Sequence, residues 1–502
     1  MKKNLMIMIA VFLTVLLLSV VLFSCAANNN SSGSNGSGGG ADDQNARDDS
    51  ENGKDTEIIK PDVPDEWDFE GYEFMILANG KEYNSYWYSK DIYAEEETGD
   101  LINDAVYTRN RKIEEKYNVS IKGTFAGNQY NEASKDILSG NNVYDMYTVP
   151  LQGATAQLAQ GNMLTDLKTI PYIDLKKPWW DQRANQQLSI NNKLMFTISD
   201  LLIIDKDALF IFFFNKDVID DYNMENPYQI VAEDKWTIDK MWDMAKVISR
   251  DINGDGVMDD ADAYGLLTAG HTIHGNIVSS GHFVISKNNN DLPVLNIKDP
   301  VIQSSYEKWI SIINDRSNTW VAQDWASKHT DIWMYQLDVL NEKRGLWLYA
   351  GMDRVTTLRV FECNFGILPN PKYDESQSEY YNHVHAWCTT AISVPITSDL
   401  ERTGMILEAL TAESYYTLRP AYYDVSLKNK FMRDNESGEM LDLIFMTRCY
   451  DLGHVYNWGG IFDMFHDLPL QKNQDFVSAY EKILPKVEAD MQKSIDDMTR
   501  AE

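Results

Sequence analysis

The chain has 502 residues, 13 Trp, 27 Tyr and a formal net charge of -31. That is enough material for two lobes with their own cores, and the charge repels polyanions, which argues against binding to nucleic acid or to an acidic lipid surface. Cysteine is scarce, at four residues, and in a core this large Cys363, Cys388 and Cys449 are expected as buried free thiols with no essential disulfide.

The chain opens with Lys2 and Lys3 ahead of an apolar run, Leu5 to Phe23, which reads as an export signal over residues 1–24. The run ends in "LFSC", Leu22 to Cys25, which resembles the lipobox of bacterial lipoproteins and makes Cys25 the lipidated residue of the mature chain. A Ser/Gly/Asn/Asp-rich stretch follows, so residues 25–65 form a lipidated cysteine and a disordered tether with too little apolar surface to offset the entropy of ordering. No later stretch is apolar enough to span a membrane.

Folded structure is expected from Trp67. "YEFMILA" (72–78) is strand-like and leads into a polar, aromatic loop. Ile102, Val106, Ile113 and Tyr117 recur at helical spacing and predict a helix over 102–118. A strand at 119–125, a helix at 131–140 ending on Gly140 and a strand at 143–149 continue the alternation, which implies parallel pairing through crossovers. In such sheets ligands sit at the carboxyl ends of strands, so the loops after Ala78 and Val149 are candidate site walls. "DALFIFFFNKDVIDDY" (207–222) carries the unbroken apolar run of a strand buried on both faces. A helix capped by Thr237 comes next. "HAWCTTAISVP" (385–395) reads as a strand and 398–412 as a helix.

The twelve residues "DINGDGVMDDAD" have the layout of an EF-hand-like loop, with Asp251, Asn253, Asp255, Val257, Asp259 and Asp262 as oxygen ligands and Gly256 at the turn. There is one such loop, where a sensor or docking module shows two, so the expectation is a structural calcium clip or an ordinary acidic turn. Aspartate at the twelfth position is shorter than the usual glutamate, which predicts weak affinity.

Several stretches, in order, resemble the extracellular solute-binding lipoproteins of ABC importers: "GNMLTDLKTIPYIDLKKPWWDQ" (161–182), "FFFNKDVIDDY" (212–222), "EKRGLWLYAG" (342–351), "FGILPNPKYDE" (365–375) and "AYYDVSLKNKFMRDNESGEMLDLI" (421–444). The resemblance implies an α/β, two-lobed Venus-flytrap fold of the type II periplasmic-binding-protein class, with crossing hinge strands. Residues 67–205 plus 373–414 would form the first lobe, and 206–372 plus 415–502 the second. It further implies a monomeric receptor, lipid-anchored on the extracellular or periplasmic side, that hands a small solute to a permease and ATPase complex.

Aromatic rings with polar edges suit the stacking of sugar rings, so a carbohydrate is the expected solute. Most such rings belong to the core; those in predicted cleft loops are Tyr83, Trp87, Trp179, Trp180, Tyr349 and Trp458, with Glu82, Gln152 and Asn215 as polar partners near strand ends. "PWW" can equally be a wedge bracing one lobe. Two rival functions remain. A glycoside hydrolase needs two carboxylates facing each other across a cleft. A metal-uptake receptor would rest on His271 and His274 ("HTIH") and on His383 and His385 ("HVH"), which share a face with Trp387 if that segment is extended. Neither HExxH nor G-x-S-x-G occurs.

Overall fold

The computed structural model describes residues 59–423, 435–471 and 475–499. The predicted export signal, the lipidation site Cys25 and the tether as far as residue 58 lie outside the described residues. Among the described residues no helix is long and apolar enough to cross a membrane. Cys363, Cys388 and Cys449 are buried free thiols.

Among the described residues thirteen strands follow in chain order: β1 (Tyr72–Asn79), β2 (Val119–Ala126), β3 (Met146–Pro150), β4 (Phe210–Asn215), β5 (Tyr264–Thr268), β6 (Ile285–Lys287), β7 (Pro293–Leu295), β8 (Thr319–Val321), β9 (Gly345–Gly351), β10 (Phe365–Leu368), β11 (Asn382–His383), β12 (Thr390–Ser393) and β13 (Arg448–Cys449). Two sheets, each covered by helices, make the two lobes of an α/β type II flytrap fold. The first has the order β12-β3-β1-β2, the second β10-β4-β9-β5-β8.

In the first sheet β1 is parallel to β2 and β3, with Phe74 opposite Ile121 and Ile76 opposite Met146, and β12 closes the edge antiparallel to β3. The crossover from β1 to β2 is the helix Leu101–Tyr117. Asp100 caps it by accepting from the amides of Ile102 and Asn103, and Asn118 stops it in the left-handed region at φ 46. Val106, Ile113 and Tyr117 form its buried stripe. Gly140, at φ 67, ends the helix Gln129–Ser139 before β3.

The run "FIFFFN" becomes β4, flanked by β10 and β9, both antiparallel to it; its central phenylalanines are buried because the strand is covered on both faces. β5 pairs parallel with β9 and β8. Thr237 caps the helix Ile238–Ile248 as expected, accepting from Lys240 N.

The chain crosses from the first sheet to the second just before β4. There Leu209 bridges antiparallel to Val384, and the amide of His385 donates to Ala208 O at 2.9 Å. This crossing corrects one expectation. Residues 385–395 are not one strand: Ala386 to Cys388 form a turn, with Cys388 N donating to His385 O, and only Thr390–Ser393 pairs in a sheet. The apolar alternation was that of a segment passing between lobes, so His383, His385 and Trp387 do not share a strand face. The C-terminal part touches both lobes. The helix Leu452–Tyr456 packs on Leu151–Gln160 of the first, and Ile461–Leu470 packs on Ile273–Val278 of the second.

Candidate functional site

The carboxyl ends of the parallel strands of both sheets face a common cleft. From the first sheet come the loop after β1 and Gln152 after β3; from the second come His271 after β5, Gln323 after β8 and Arg354 after β9. Phe210, at the amino end of antiparallel β4, joins them. The cleft has two chambers, of about 580 and about 820 Å³, which meet at Gln152 and Trp387. This is where an open α/β sheet binds its ligand.

The loop after β1 is held by local hydrogen bonds. Asn79 Nδ2 donates to Trp87 O at 2.6 Å, and Asn84 Oδ1 accepts from the amides of Tyr86 and Trp87 at 2.8 and 3.2 Å. Trp87 then stacks on Phe210 with centroids 6.4 Å apart. At the end of β9, Gly351 lets this ring approach, since a Cβ there would sit 2.9 Å from Trp87 and 3.1 Å from Asp207 O. Tyr86 reaches across the cleft: its hydroxyl donates to Asp331 Oδ2 and its ring lies under the Arg354 guanidinium, 4.7 Å away.

Trp387 is the open ring of the site. It is 39% exposed, lies in both chambers and leans against Tyr83 at 5.7 Å. Neutral polar groups surround it. Burial, then the neighbouring Cys388, pushes the Tyr83 phenol up to about 12. Burial, then the charge of His466, holds His271 at about 4, and burial foremost keeps His385 well below its ordinary value. Gln323 Nε2 lies 2.8 Å from His271 Nδ1. At neutral pH the walls therefore offer uncharged imidazoles, amides and phenols beside aromatic faces, a set suited to hydroxyls on a flat, partly apolar ligand.

The structure sorts the residues proposed from sequence. Tyr83, Trp87, Gln152 and Tyr349 line the cleft. Glu82 is exposed and lies beside Gly127, outside the lining of both chambers. Asn215 sits at the opposite end of β4 from the cleft, because β4 runs antiparallel to β9; there it caps the next helix through Val218 N and donates to Leu340 O at 2.7 Å. Trp179 and Trp180 are buried braces. Their Nε1 atoms donate to the two carboxylate oxygens of Glu408, each at 3.0 Å, beside a separate 270 Å³ cavity that shares no lining residue with the cleft. Trp458 contributes to the wall of the larger chamber but is 1% exposed, stacked on Tyr456 at 4.7 Å and bonded to Ser494 Oγ at 2.8 Å, so its face is spent on packing. Tyr86, Phe210, Trp333 and Phe462 were missed as cleft residues; the polar, aromatic loop before Asp91 was the only signal for any of them.

The side chains of the acidic loop turn back on the loop's own amides. Asp251 accepts from the amides of Gly254 and Gly256 at 2.6 and 2.7 Å, and Asp262 accepts from those of Ile252 and Asp259, both at 2.8 Å. Asn253 and Asp255 each cap the amide two residues on. Among the described residues no three of its carboxylates come within 4.8 Å of one another, and the loop is a series of Asx turns.

Of the histidines noted from sequence, His271 lies in the cleft, its ring stacked 5.5 Å from that of His466. His274 and His383 instead meet His454 in the interior, within 4.8 Å of one another.

No family model and no curated protein matches the chain. Solved structures do match in fold. An ABC substrate-binding protein from Listeria monocytogenes, in complex with cycloalternan, aligns with a TM-score of 0.53 and 10% identity, covering 85% of this chain and 99% of that one. The GacH receptor of Streptomyces glaucescens, studied unliganded and with acarbose, aligns with a TM-score of 0.53 and 11% identity over 85% of this chain and 99% of that one. RafE from Streptococcus pneumoniae, in its apo form, gives 0.52 and 11% over 85% and 98%. The shared property is the two-lobed fold.

Proposed function

We infer that this chain is the substrate-binding protein of an ABC import system, capturing a carbohydrate, most simply an oligosaccharide, between its lobes. The observation that carries the reading is the cleft itself. Strand ends from both sheets converge on an open tryptophan, Trp387, flanked by Tyr83 and by neutral imidazoles and amides. The solved proteins that share the fold include receptors studied with cycloalternan and acarbose, and two chambers in series suit a ligand of more than one sugar ring. The function includes transfer to a permease and ATPase complex, by a monomer tethered outside the cell through lipidated Cys25.

Hydrolysis is less well supported. The carboxylates among the lining residues are Asp463 in one chamber and Asp490 in the other, whereas a glycosidase places its pair about 5–10 Å apart across one scissile bond. Mass spectrometry of ligand released from freshly purified protein, followed by calorimetry with an oligosaccharide panel, tests the reading. Retained or titratable sugar without turnover supports it. A protein that binds no sugar, or that cleaves one, overturns it.

A further inference from the structure

The C-terminal part of the chain closes over three histidines behind the cleft wall, where His454 stacks on Phe462 at 3.9 Å. β11 pairs parallel with β13, His383 opposite Cys449. Two residues on, Asp451 caps the helix Leu452–Tyr456 through the amides of Gly453 and His454, which turns His454 toward His383. The helix Ile273–Val278 supplies His274. The three side chains are 1%, 1% and 0% exposed, and each presents a ring nitrogen within 4.8 Å of the other two.

Three of their six ring nitrogens are left unpaired by the fold. Both ring nitrogens of His274 and Nε2 of His454 are buried without a hydrogen-bond partner, and a buried polar group left so costs about 1–3 kcal/mol. His383 Nε2 and His454 Nδ1 share a hydrogen bond at 3.2 Å, which a bound ion would replace. Two nitrogens bound tetrahedrally to one ion at about 2.0–2.1 Å would be separated by about 3.3–3.4 Å, so the pair already has close to the spacing of a shared metal. Asp451 Oδ1 lies 3.5 Å from His274 Nε2, in the place of the carboxylate that commonly orients a metal-bound histidine. Gly275 keeps the backbone clear of this group, since a Cβ there would stand 3.1 Å from His383 Nδ1.

We propose that His274, His383 and His454 hold a resident first-row divalent ion, zinc in the first instance, that ties together the lobe crossing, the second lobe and the C-terminal segment. Three imidazoles select such an ion over calcium or magnesium, which take oxygen ligands. Burial makes the ion a structural part of the receptor and not its cargo. His383 is the neighbour of Val384, which bridges to Leu209 where the chain passes between lobes, so the ion would brace the hinge. The proposal stands independently of the identity of the sugar.

The test uses the full-length mature chain without a histidine tag, stripped with chelator. Added cobalt should give one equivalent of bound ion with the visible d–d bands of a tetrahedral nitrogen site, displaced by zinc, and zinc should raise the melting temperature by several degrees. His454→Gln and, separately, His383→Gln should abolish the bands while the far-ultraviolet circular dichroism stays that of the parent. A parent that shows neither bands nor a zinc-dependent melt refutes the proposal, whatever the variants do. Bands that survive in both variants also refute it, because they would place the ion elsewhere, such as on His271 and His466. Sugar binding that persists in stripped protein leaves the functional reading intact.

Discussion

Glu408→Gln should be less stable than the parent at pH 5, by the ~1–3 kcal/mol of one buried indole donor left without an acceptor, and should close that gap by pH 8. Glu408 is fully buried and accepts from Trp179 Nε1 and Trp180 Nε1, each at 3.0 Å. Two effects oppose each other there: burial penalises the carboxylate, and the two indole bonds favour it. Burial wins, and the carboxyl is pushed up to about 7 from 4.5. The unfolded chain releases this proton near 4.5 and the folded one near 7, so between those values the folded state binds more protons and stability falls as pH rises. At 1.36 kcal/mol per unit over about 2.5 units, the loss is on the order of 3 kcal/mol, complete above pH 7. Glutamine has no proton to lose and escapes this pH-dependent loss, but its Oε1 can accept from only one of the two indoles, where the protonated carboxyl accepts from both. Urea unfolding of parent and variant at both pH values measures the difference. A deficit of the variant that is as large at pH 8 as at pH 5 would show that burial does not hold the proton on Glu408 and would refute the reasoning. Glu408→Leu, which removes both acceptors, should be destabilised at pH 5 as well. Ligand affinity should not change in Glu408→Gln, because the braced tryptophans do not line the cleft.

Trp387→Ala should weaken binding of the cognate sugar by ~2 kcal/mol or more with an unchanged melting curve, whereas Trp458→Ala should cost ~3–5 kcal/mol of stability, since that ring is core; calorimetry and urea titration separate the two. His271 is neutral when folded down to about pH 4 but takes up a proton near 6.5 when unfolded, so it makes stability fall as pH drops from 6.5 to 4. His271→Gln should remove up to ~1.4 kcal/mol per pH unit of that fall, as read from unfolding curves at pH 6.5, 5.5 and 4.5. For the calcium clip expected of the acidic loop, a dissociation constant of ~10⁻⁴ to 10⁻³ M predicts a stabilisation of only ~0.4–1.4 kcal/mol at millimolar calcium, lost in Asp255→Ala; identical melts with calcium and chelator would leave it an acidic turn. Cys25→Ser should release the protein from the membrane fraction, and a variant as tightly bound as the parent would end the lipoprotein reading.

The sequence by itself determined the elements whose causes are local. The strand from Tyr72, the helix Leu101–Tyr117, the Thr237 cap of the helix Ile238–Ile248 and the buried run Ile211–Phe214 follow from periodicity and capping within a few residues. The order of strands and helices was enough to point to the cleft, because ligands gather at parallel strand ends. Which side chains reach it was decided by the tertiary structure. Phe210 faces the cleft and Asn215 does not because β4 runs antiparallel to β9, a pairing with residues more than 130 positions away. Trp387 is open and Trp458 closed because the latter is covered by Tyr456 and bonded to Ser494, not because their local sequences differ in polarity. Trp179 and Trp180 became braces through Glu408, more than 200 residues on. His274, His383 and His454 meet only once β11 lies beside β13. Periodicity records which face of an element is buried; what lies against that face depends on long-range pairing, for which a single sequence has no local signal.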